Sequence, residues 1–298
     1  MNYLDSLILG IVQGITEYLP VSSTGHLLIT QQLLGIPKGD AIEAFHIFLH
    51  AGSILAVLTL YRRRVGEILL GLLGKNPAGL RLFTNLICAF IPAIVIGLVF
   101  GESIREYLYG AWPVVAAWFV GGIGVLVYVR WRNARGGANQ GLGIADLTWK
   151  KSLVIGLCQC VAMWPGVSRS LMTMLGGMFM GLRVGAAVEF SFLLALVTIS
   201  AASAKETLEY GSLMLTEFGP ATIAIGFIAS FVSAWCAVKW AVSYLQKHSF
   251  AIFGWYRIAV AIIVAALILT GVIIANESEE DSRQGVEQVS QVSTETLD

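Results

Sequence analysis

The sequence predicts an all-α polytopic membrane protein made of two inverted-topology repeats, each a re-entrant helix hairpin followed by three transmembrane helices. Composition is the first of three observations behind that expectation. Of 298 residues, 56% are hydrophobic and only 13% charged, with a mean hydropathy of +0.76; soluble chains run near one quarter charged. The second is the length of the apolar stretches. Six of them reach about twenty residues, enough to cross a bilayer, at 42–61, 82–101, 111–129, 186–208, 221–242 and 252–274. Third, two further hydrophobic regions, 4–34 and 153–182, are interrupted at mid-length by Pro, Gly and Ser. Broken backbone at membrane depth is tolerated only where it is buried in protein or lines a cavity, so these regions read as re-entrant hairpins.

An internal similarity orders these elements into halves. Gly10-Ile-Val-Gln13 resembles Gly156-Leu-Cys-Gln159, and nine residues after each glutamine stands a serine, Ser22 or Ser168. Ser23 and Thr24 are then matched by Arg169 and Ser170, and Glu43 by Glu189 at the same offset. The first repeat occupies 1–135 and the second 148–275, together forming one membrane domain, 1–275. A hairpin plus three crossings is an odd number of passes, so the second half is inverted relative to the first. Inverted repeats with broken helices place a binding site near the midplane, where the halves face each other. The stretch 276–298, acidic at Glu277, Glu279, Glu280 and Asp281, lacks apolar periodicity and is expected to be disordered.

Basic residues orient the chain. Arg62-Arg63-Arg64 with Lys75 and Arg81, then Arg130, Arg132, Arg135, Lys150 and Lys151, then Lys247, all fall on one side if six segments cross. The positive-inside rule makes that side cytoplasmic. The N-terminus and the tail then lie outside, with the first hairpin dipping in from outside and the second from the cytoplasm. Nineteen basic residues balance nineteen acidic ones, which gives no electrostatic reason to expect a nucleic-acid partner. Cys158-x-Cys160 has neither redox spacing nor a second pair for zinc, and the four cysteines read as small buried hydrophobes. No basic region or cleavage site marks a signal peptide.

The chemistry-bearing residues concentrate in the two broken hairpins. The first carries Gln13-Gly-Ile-Thr-Glu17-Tyr-Leu-Pro20-Val-Ser22-Ser23-Thr24-Gly25-His26. A carboxylate and an imidazole are costly at membrane depth and by default mark a functional site. Gln13 and Glu17 share one helix face, one turn apart. Gln13 alternatively serves as a helix-packing hydrogen bond, Glu17 as a capped carboxylate, and Ser22, Ser23 and Thr24 as partners for broken backbone. His26 lies across the Pro-Gly break, where a bend would bring it to Glu17; the bland alternative is a satisfied core histidine.

The second hairpin carries Trp164-Pro165-Gly166-Val167-Ser168-Arg169-Ser170 and Thr173. An arginine at that depth needs an anion, either Glu17 or a ligand, and the guanidinium fork suits phosphate. Free N–H groups at the start of the following helix favour the same ligand. A structural ion pair to Glu17 or Glu189 is the competing reading. His46 and His50 share a face of the first span below Glu43; packing or support is weighted over a metal or proton path. Arg257, after Trp255 and Tyr256, reads as an interfacial anchor.

Gln13-x-x-x-Glu17, Pro20-Val-Ser-Ser-Thr-Gly-His26 and Pro165-Gly-x-Ser-Arg-Ser170 resemble the two signature regions of the undecaprenyl-diphosphate phosphatases, the bacitracin-resistance family. Glu189-Phe-Ser-Phe-Leu-Leu-Ala195 and Gly52-Ser-Ile-Leu-Ala-Val57 are similar to it as well, and the likeness runs from about residue 5 to 275. That resemblance implies a hydrolase of the bacterial cytoplasmic (inner) membrane. It would convert undecaprenyl diphosphate to undecaprenyl phosphate and inorganic phosphate, recycling the carrier lipid for cell-wall synthesis and conferring bacitracin resistance. By the same carry-over, Gln13 and Glu17 are linked to a divalent cation, Mg²⁺ or Ca²⁺. Ser23 and His26 fall on the catalytic serine and histidine, and Arg169 on the diphosphate-binding arginine. Ser22, Thr24, Ser168 and Ser170 are expected to help bind substrate. Leu171 and Met172 stand where the family usually has Gly and a small residue, and Val197 where a Pro is usual; a left-handed Leu171 would be strained. A homodimer is left open. The rival class is a secondary transporter or lipid flippase, which shares inverted repeats and broken helices but has no need of a nucleophile beside an acid.

Overall fold

The computed structural model describes residues 1–134 and 141–274, with backbone alone at 102, 105, 106, 202 and 204–209. Ten α-helices account for nearly all of it: α1 (Tyr3–Tyr18), α2 (Ser23–Leu33), α3 (Asp40–Leu60), α4 (Arg62–Leu72), α5 (Pro77–Leu108), α6 (Ala111–Asn133), α7 (Trp149–Val161), α8 (Arg169–Phe179), α9 (Val184–Lys247) and α10 (Ala251–Leu269). The acidic tail lies outside the described residues.

Six helical segments among the described residues are long and apolar enough to cross a membrane: Asp40–Leu60, Pro77–Gly101, Ala111–Asn133, Val184–Ala201, Tyr210–Lys247 and Ala251–Leu269. Each overlaps one of the six stretches read from the sequence. Two of them belong to α9, which is helical throughout except at Gly219 (φ +75°), followed by Pro220. A left-handed glycine ends a helix cheaply and a proline begins the next, because its missing N–H is one that a first helical turn leaves unpaired anyway. Phe45 stacks edge-on against Phe218 before the break, at 5.9 Å, and the same ring borders Gly226 after it. The chain therefore doubles back at Gly219, and both arms of α9 run along α3.

The hairpin helices are short. With 16 and 11 residues in α1 and α2, and 13 and 11 in α7 and α8, each reaches only about 16–24 Å, less than a hydrocarbon core of roughly 30 Å. The hairpins start from opposite ends of the bundle. Ser6 donates from Oγ to the carbonyl of Thr222, just past the turn at Gly219. The segment before α7 instead sits at the other end. There Asn85 donates to the carbonyl of Leu147, Leu142 pairs with residues 181–183, and Arg64 bonds Glu189 at 2.6 Å. Close helix contact in the first hairpin depends on Gly10 and Gly14, where a Cβ would collide with the backbone at Gly226 and Ser230.

The hairpin tips meet in the interior, which leaves irregular backbone where water is scarce. Each carbonyl of the first break has a donor. The Leu19 carbonyl accepts from Ser170 Oγ (2.8 Å), Pro20 from Arg257 Nη1 (3.3 Å), Val21 from Trp118 Nε1 (2.8 Å) and Ser22 from His26 Nδ1 (2.7 Å). Buried carbonyls without donors would each cost about 1–3 kcal/mol, so these four side chains make the broken helix tenable.

Two expectations change here, for Arg257 and for the cysteines. Arg257 is no interfacial anchor but is fully buried, donating from Nη2 to the carbonyls of Ala117 (2.8 Å) and Gly166 (2.9 Å) as well as from Nη1 to Pro20. It fastens both hairpin tips to α6. Arg257→Met, of similar length but without donors, is expected to lower the thermal midpoint in detergent by roughly 10 °C, the consequence of several unpaired carbonyls. An unchanged midpoint would mean the tips hold without it. The basic stretch after the first span is itself a helix, α4, packed against α5 through Gly71 and Gly79. The cysteines are half-buried or, at Cys236, exposed, so they face outward more than the core reading supposed.

Candidate active site

Ser22 (φ 73°) and Ser168 (φ 79°) are the non-glycine residues of positive φ among those described, and each immediately precedes the second helix of its hairpin. L-residues are held there only where surrounding structure over-determines them, which in enzymes happens at working sites. At these points the chain turns Ser23 and Arg169, the first residues of α2 and α8, towards one another. Leu171 lies inside α8 with an ordinary helical backbone, its N–H capped by Ser168 Oγ at 3.2 Å, so the departure from glycine costs no left-handed strain. Val197 is likewise helical within α9.

Glu17, at the end of α1, is the hub. Arg169 Nη2 donates to its Oε1 at 2.6 Å across the two hairpins. Its Oε2 accepts from Ser23 Oγ at 2.6 Å and from Gln13 Nε2 at 2.8 Å, and lies 3.3 Å from His50 Nε2. Glu17 is buried, with its side chain 6% exposed, as an intramembrane carboxylate has to be when it is matched by a guanidinium and a ring of donors. Arg169 uses one end of its fork on Glu17; Nη1 is buried with no hydrogen-bond partner.

These groups border a cavity of about 330 Å³. Glu17, Ser22, Ser23, Thr24, Ser168 and Arg169 line it, together with His50 and the α9 residues Thr198 and Ser203. Ser203 Oγ is buried and unpaired, a further hydrogen-bonding group without a partner. Ile47, Ile199 and Trp164 make part of the wall apolar.

Not every expected residue arrives there. His26 is outside the lining. Its Nδ1 donates to the Ser22 carbonyl and its Nε2 lies 2.9 Å from the Tyr256 hydroxyl, with the ring stacked on Tyr256 and edge-on to Trp118. The bend at Pro20 does not carry it to Glu17, because the broken backbone claims the imidazole first. Ser170 is also turned away, tied to Leu19 and to Ser168 Oγ at 2.9 Å. His50, read from the sequence as packing or support, is in contact with Glu17. Its position one turn from His46 gave no hint of a carboxylate 33 residues earlier in the chain. Glu43 is exposed, and Glu189 is occupied by Arg64 at the end of the bundle.

The donor set offers a divalent cation at Gln13 and Glu17 few open protein oxygens. An ionised carboxylate offers about four acceptor positions; Arg169 takes one on Oε1, while Ser23, Gln13 and His50 all crowd Oε2, which leaves one position on Oε1. Mg²⁺ or Ca²⁺ takes about six or more oxygen ligands, water among them; the protein oxygens open here are the second position on Glu17 Oε1 and Gln13 Oε1, which is buried without a partner and outside the cavity lining. Among the described residues no three His, Cys, Asp or Glu side chains gather around a common point.

Residues 6–263 match the family of bacitracin resistance protein BacA. The chain belongs to that family. It is 41% identical over 270 residues to undecaprenyl-diphosphatase 2 of Rhodospirillum rubrum, covering 91% of this chain and 96% of that protein. Undecaprenyl-diphosphatase of Ectopseudomonas mendocina is 42% identical over 262 residues, covering 88% and 92%. Undecaprenyl-diphosphatase 1 of Chromobacterium violaceum is 42% identical over 270 residues, covering 90% and 97%. A member of the BacA family with six membrane-length apolar segments is a multi-pass membrane protein.

Proposed function

We propose that this protein hydrolyses undecaprenyl diphosphate to undecaprenyl phosphate and inorganic phosphate, in the cytoplasmic membrane, so that the carrier lipid re-enters cell-wall synthesis and bacitracin resistance follows. The observation that carries this reading is the hydroxyl of Ser23 bonded to Glu17 beside the unpaired Nη1 of Arg169, all on one cavity. A transporter needs a phosphate-binding cation but no hydroxyl poised on a carboxylate.

In the mechanism, Arg169 Nη1 donates to the terminal phosphate while Nη2 keeps its bond to Glu17, fixing the phosphate against Ser23. Ser23 Oγ attacks the terminal phosphorus in line with the bridging oxygen, and Glu17 Oε2 takes the hydroxyl proton. Undecaprenyl phosphate departs as a phosphate anion and needs no proton to leave. Water then attacks the phosphoserine phosphorus; as the Ser23 Oγ–P bond breaks, Glu17 returns the proton it holds to Oγ, and the proton lost by the water leaves to solvent with the released phosphate. Phosphoryl transfer asks mainly for charge neutralisation and placement, which this cluster supplies. His26 acts through position, holding the Ser22 carbonyl and thereby the start of α2. The prenyl chain lies along the apolar wall formed by Ile47, Ile199 and Trp164. Purified protein in detergent is expected to release inorganic phosphate from a prenyl diphosphate; binding without release would leave a carrier in its place.

The inverted-repeat architecture belongs to this reading. The two strained serines match at the sequence offset that relates Gln13 to Gln159. Gly10 of α1 abuts Gly226 of α9, and Gly156 of α7 abuts Ala89 of α5, an exchange of hairpins between halves. With Arg62–Arg64 and Lys247 cytoplasmic, the loop between α2 and α3 faces outside. In a background without native cysteines, Gly39→Cys is expected to react with an impermeant thiol reagent on intact cells and Ser249→Cys to react only after lysis. The reverse pattern would invert the orientation.

A further inference from the structure

We propose that Ser203 of α9 binds the inner, lipid-linked phosphate of the substrate. The cavity then reads a diphosphate through two subsites on separate elements, Arg169 and Ser23 for the terminal phosphate and Ser203 for the other. This rests on the hydrolase reading above and deepens it.

Ser203 differs from the other hydroxyls of its helix. Inside a helix, Ser and Thr ordinarily donate back to a carbonyl three or four residues earlier. Within α9, Thr198 Oγ1 does so to Leu194 at 3.0 Å, Thr216 to Ser212 at 3.1 Å and Ser233 to Ala229 at 2.6 Å. Ser203 is only 7% exposed, yet its Oγ has no hydrogen-bond partner among the described residues, and it borders the cavity. A buried hydroxyl without a partner destabilises the empty protein. Alanine would pack there without that penalty, and in the run Ala201-Ala-Ser203-Ala204 the hydroxyl is the exception. An acceptor entering the cavity gives the hydroxyl the partner that the fold withholds.

Placement decides which phosphate it meets. Phe192 of α9 lies edge-on to Tyr18, the neighbour of Glu17, at 5.2 Å, and Ser191 Oγ bonds Thr173 Oγ1 of α8 at 2.7 Å. These contacts mark the level of the hairpin tips on α9. Ser203 stands about 16 Å further along that helix, towards Gly219. Its side chain leans back along the helix towards Ile199, and so towards the tips. The terminal phosphate is held at the tips by Arg169 and Ser23. In-line attack by Ser23 Oγ puts the bridging oxygen and the inner phosphate on the far side of the phosphorus from that hydroxyl, where α3 and α9 form the wall. On the α9 side Thr198 has already given its proton to Leu194 and Ile199 is apolar, so Ser203 is the donor available to the inner phosphate.

The test measures binding by isothermal titration calorimetry in detergent, in a Ser23→Ala background that leaves the ligand uncleaved. Farnesyl diphosphate presents both phosphates and inorganic phosphate only one. Adding Ser203→Ala is expected to weaken farnesyl diphosphate by about tenfold or more, the scale of one hydrogen bond to a charged group, and to leave inorganic phosphate within about twofold. Adding Arg169→Lys instead is expected to weaken both ligands. With Ser23 intact, Ser203→Ala is expected to lower kcat/KM for the same diphosphate by about tenfold. Its substrate-free thermal midpoint is expected to hold or rise, because an unpaired buried hydroxyl is removed. A lowered midpoint makes the hydroxyl structural and overturns the proposal. So does unchanged affinity for farnesyl diphosphate, or an equal loss for inorganic phosphate, which would put Ser203 on the terminal phosphate. Absence of phosphate release from wild type under every condition overturns the hydrolase reading instead, while the paired affinities still decide the subsite.

Discussion

Glu17→Gln is expected to lower phosphate release by about 100- to 10,000-fold, the range a positioned proton acceptor contributes. The carboxylate has two tasks, and the amide fails at both. Ser23 Oγ loses the base that its proton already points to at 2.6 Å. Arg169 and His50 lose the anion that holds them, and the amide presents N–H groups where those side chains need an acceptor. Breaking a buried ion pair by removing one partner is destabilising by about 3–5 kcal/mol, so a monodisperse elution profile and a measurable thermal midpoint are needed to separate lost chemistry from lost fold. Turnover within tenfold of wild type in folded protein would remove Glu17 from proton transfer.

Arg169→Lys keeps the charge and is still expected to cost about 100- to 1000-fold in turnover, the scale of losing one preorganised donor to developing charge. The guanidinium spans two partners at once, with Nη2 on Glu17 and Nη1 open to the cavity. An ammonium is a single point; it can sit on the carboxylate or on the phosphate but cannot bridge them with a fixed fork. The Lys variant should therefore fold nearly as well as wild type, because the buried pair with Glu17 survives, while kcat falls. Normal kcat and KM in Arg169→Lys would make the residue a structural partner of Glu17 and remove the phosphate clamp.

Much of the architecture was legible in the chain because the bilayer imposes a simple rule. A stretch of about twenty apolar residues crosses, and a shorter or broken one does not. That rule located all six segments, including the two that share α9, where Gly219-Pro220 makes the turn. It also located both hairpins, whose prolines and hydroxyls have no place in an uninterrupted span. The Glu17–Arg169 contact was one of two partners anticipated for an arginine at that depth, and the structure selects it over Glu189, which Arg64 holds. Spacing could not reveal what the broken backbone itself would demand. His26, Arg257 and Ser170 read as catalytic, interfacial and substrate-binding, yet each is engaged with a carbonyl of the first hairpin tip. Hydrogen-bonding needs of irregular backbone leave no periodic trace in sequence.

By itself, then, the sequence determined the class of protein, the number of membrane-length apolar segments, the place of the breaks and the group of polar residues from which a site must be drawn. Those properties follow from local hydrophobicity and from the price of polar groups in hydrocarbon, which each segment carries wherever it packs. Which of the polar residues face one another was decided only by tertiary structure. Glu17 gathers Gln13 and Ser23 from its own hairpin, His50 from the next helix and Arg169 from the other half of the chain. The four partners converge on one carboxylate beside an open cavity, and that arrangement exists only once helices distant in sequence are packed side by side.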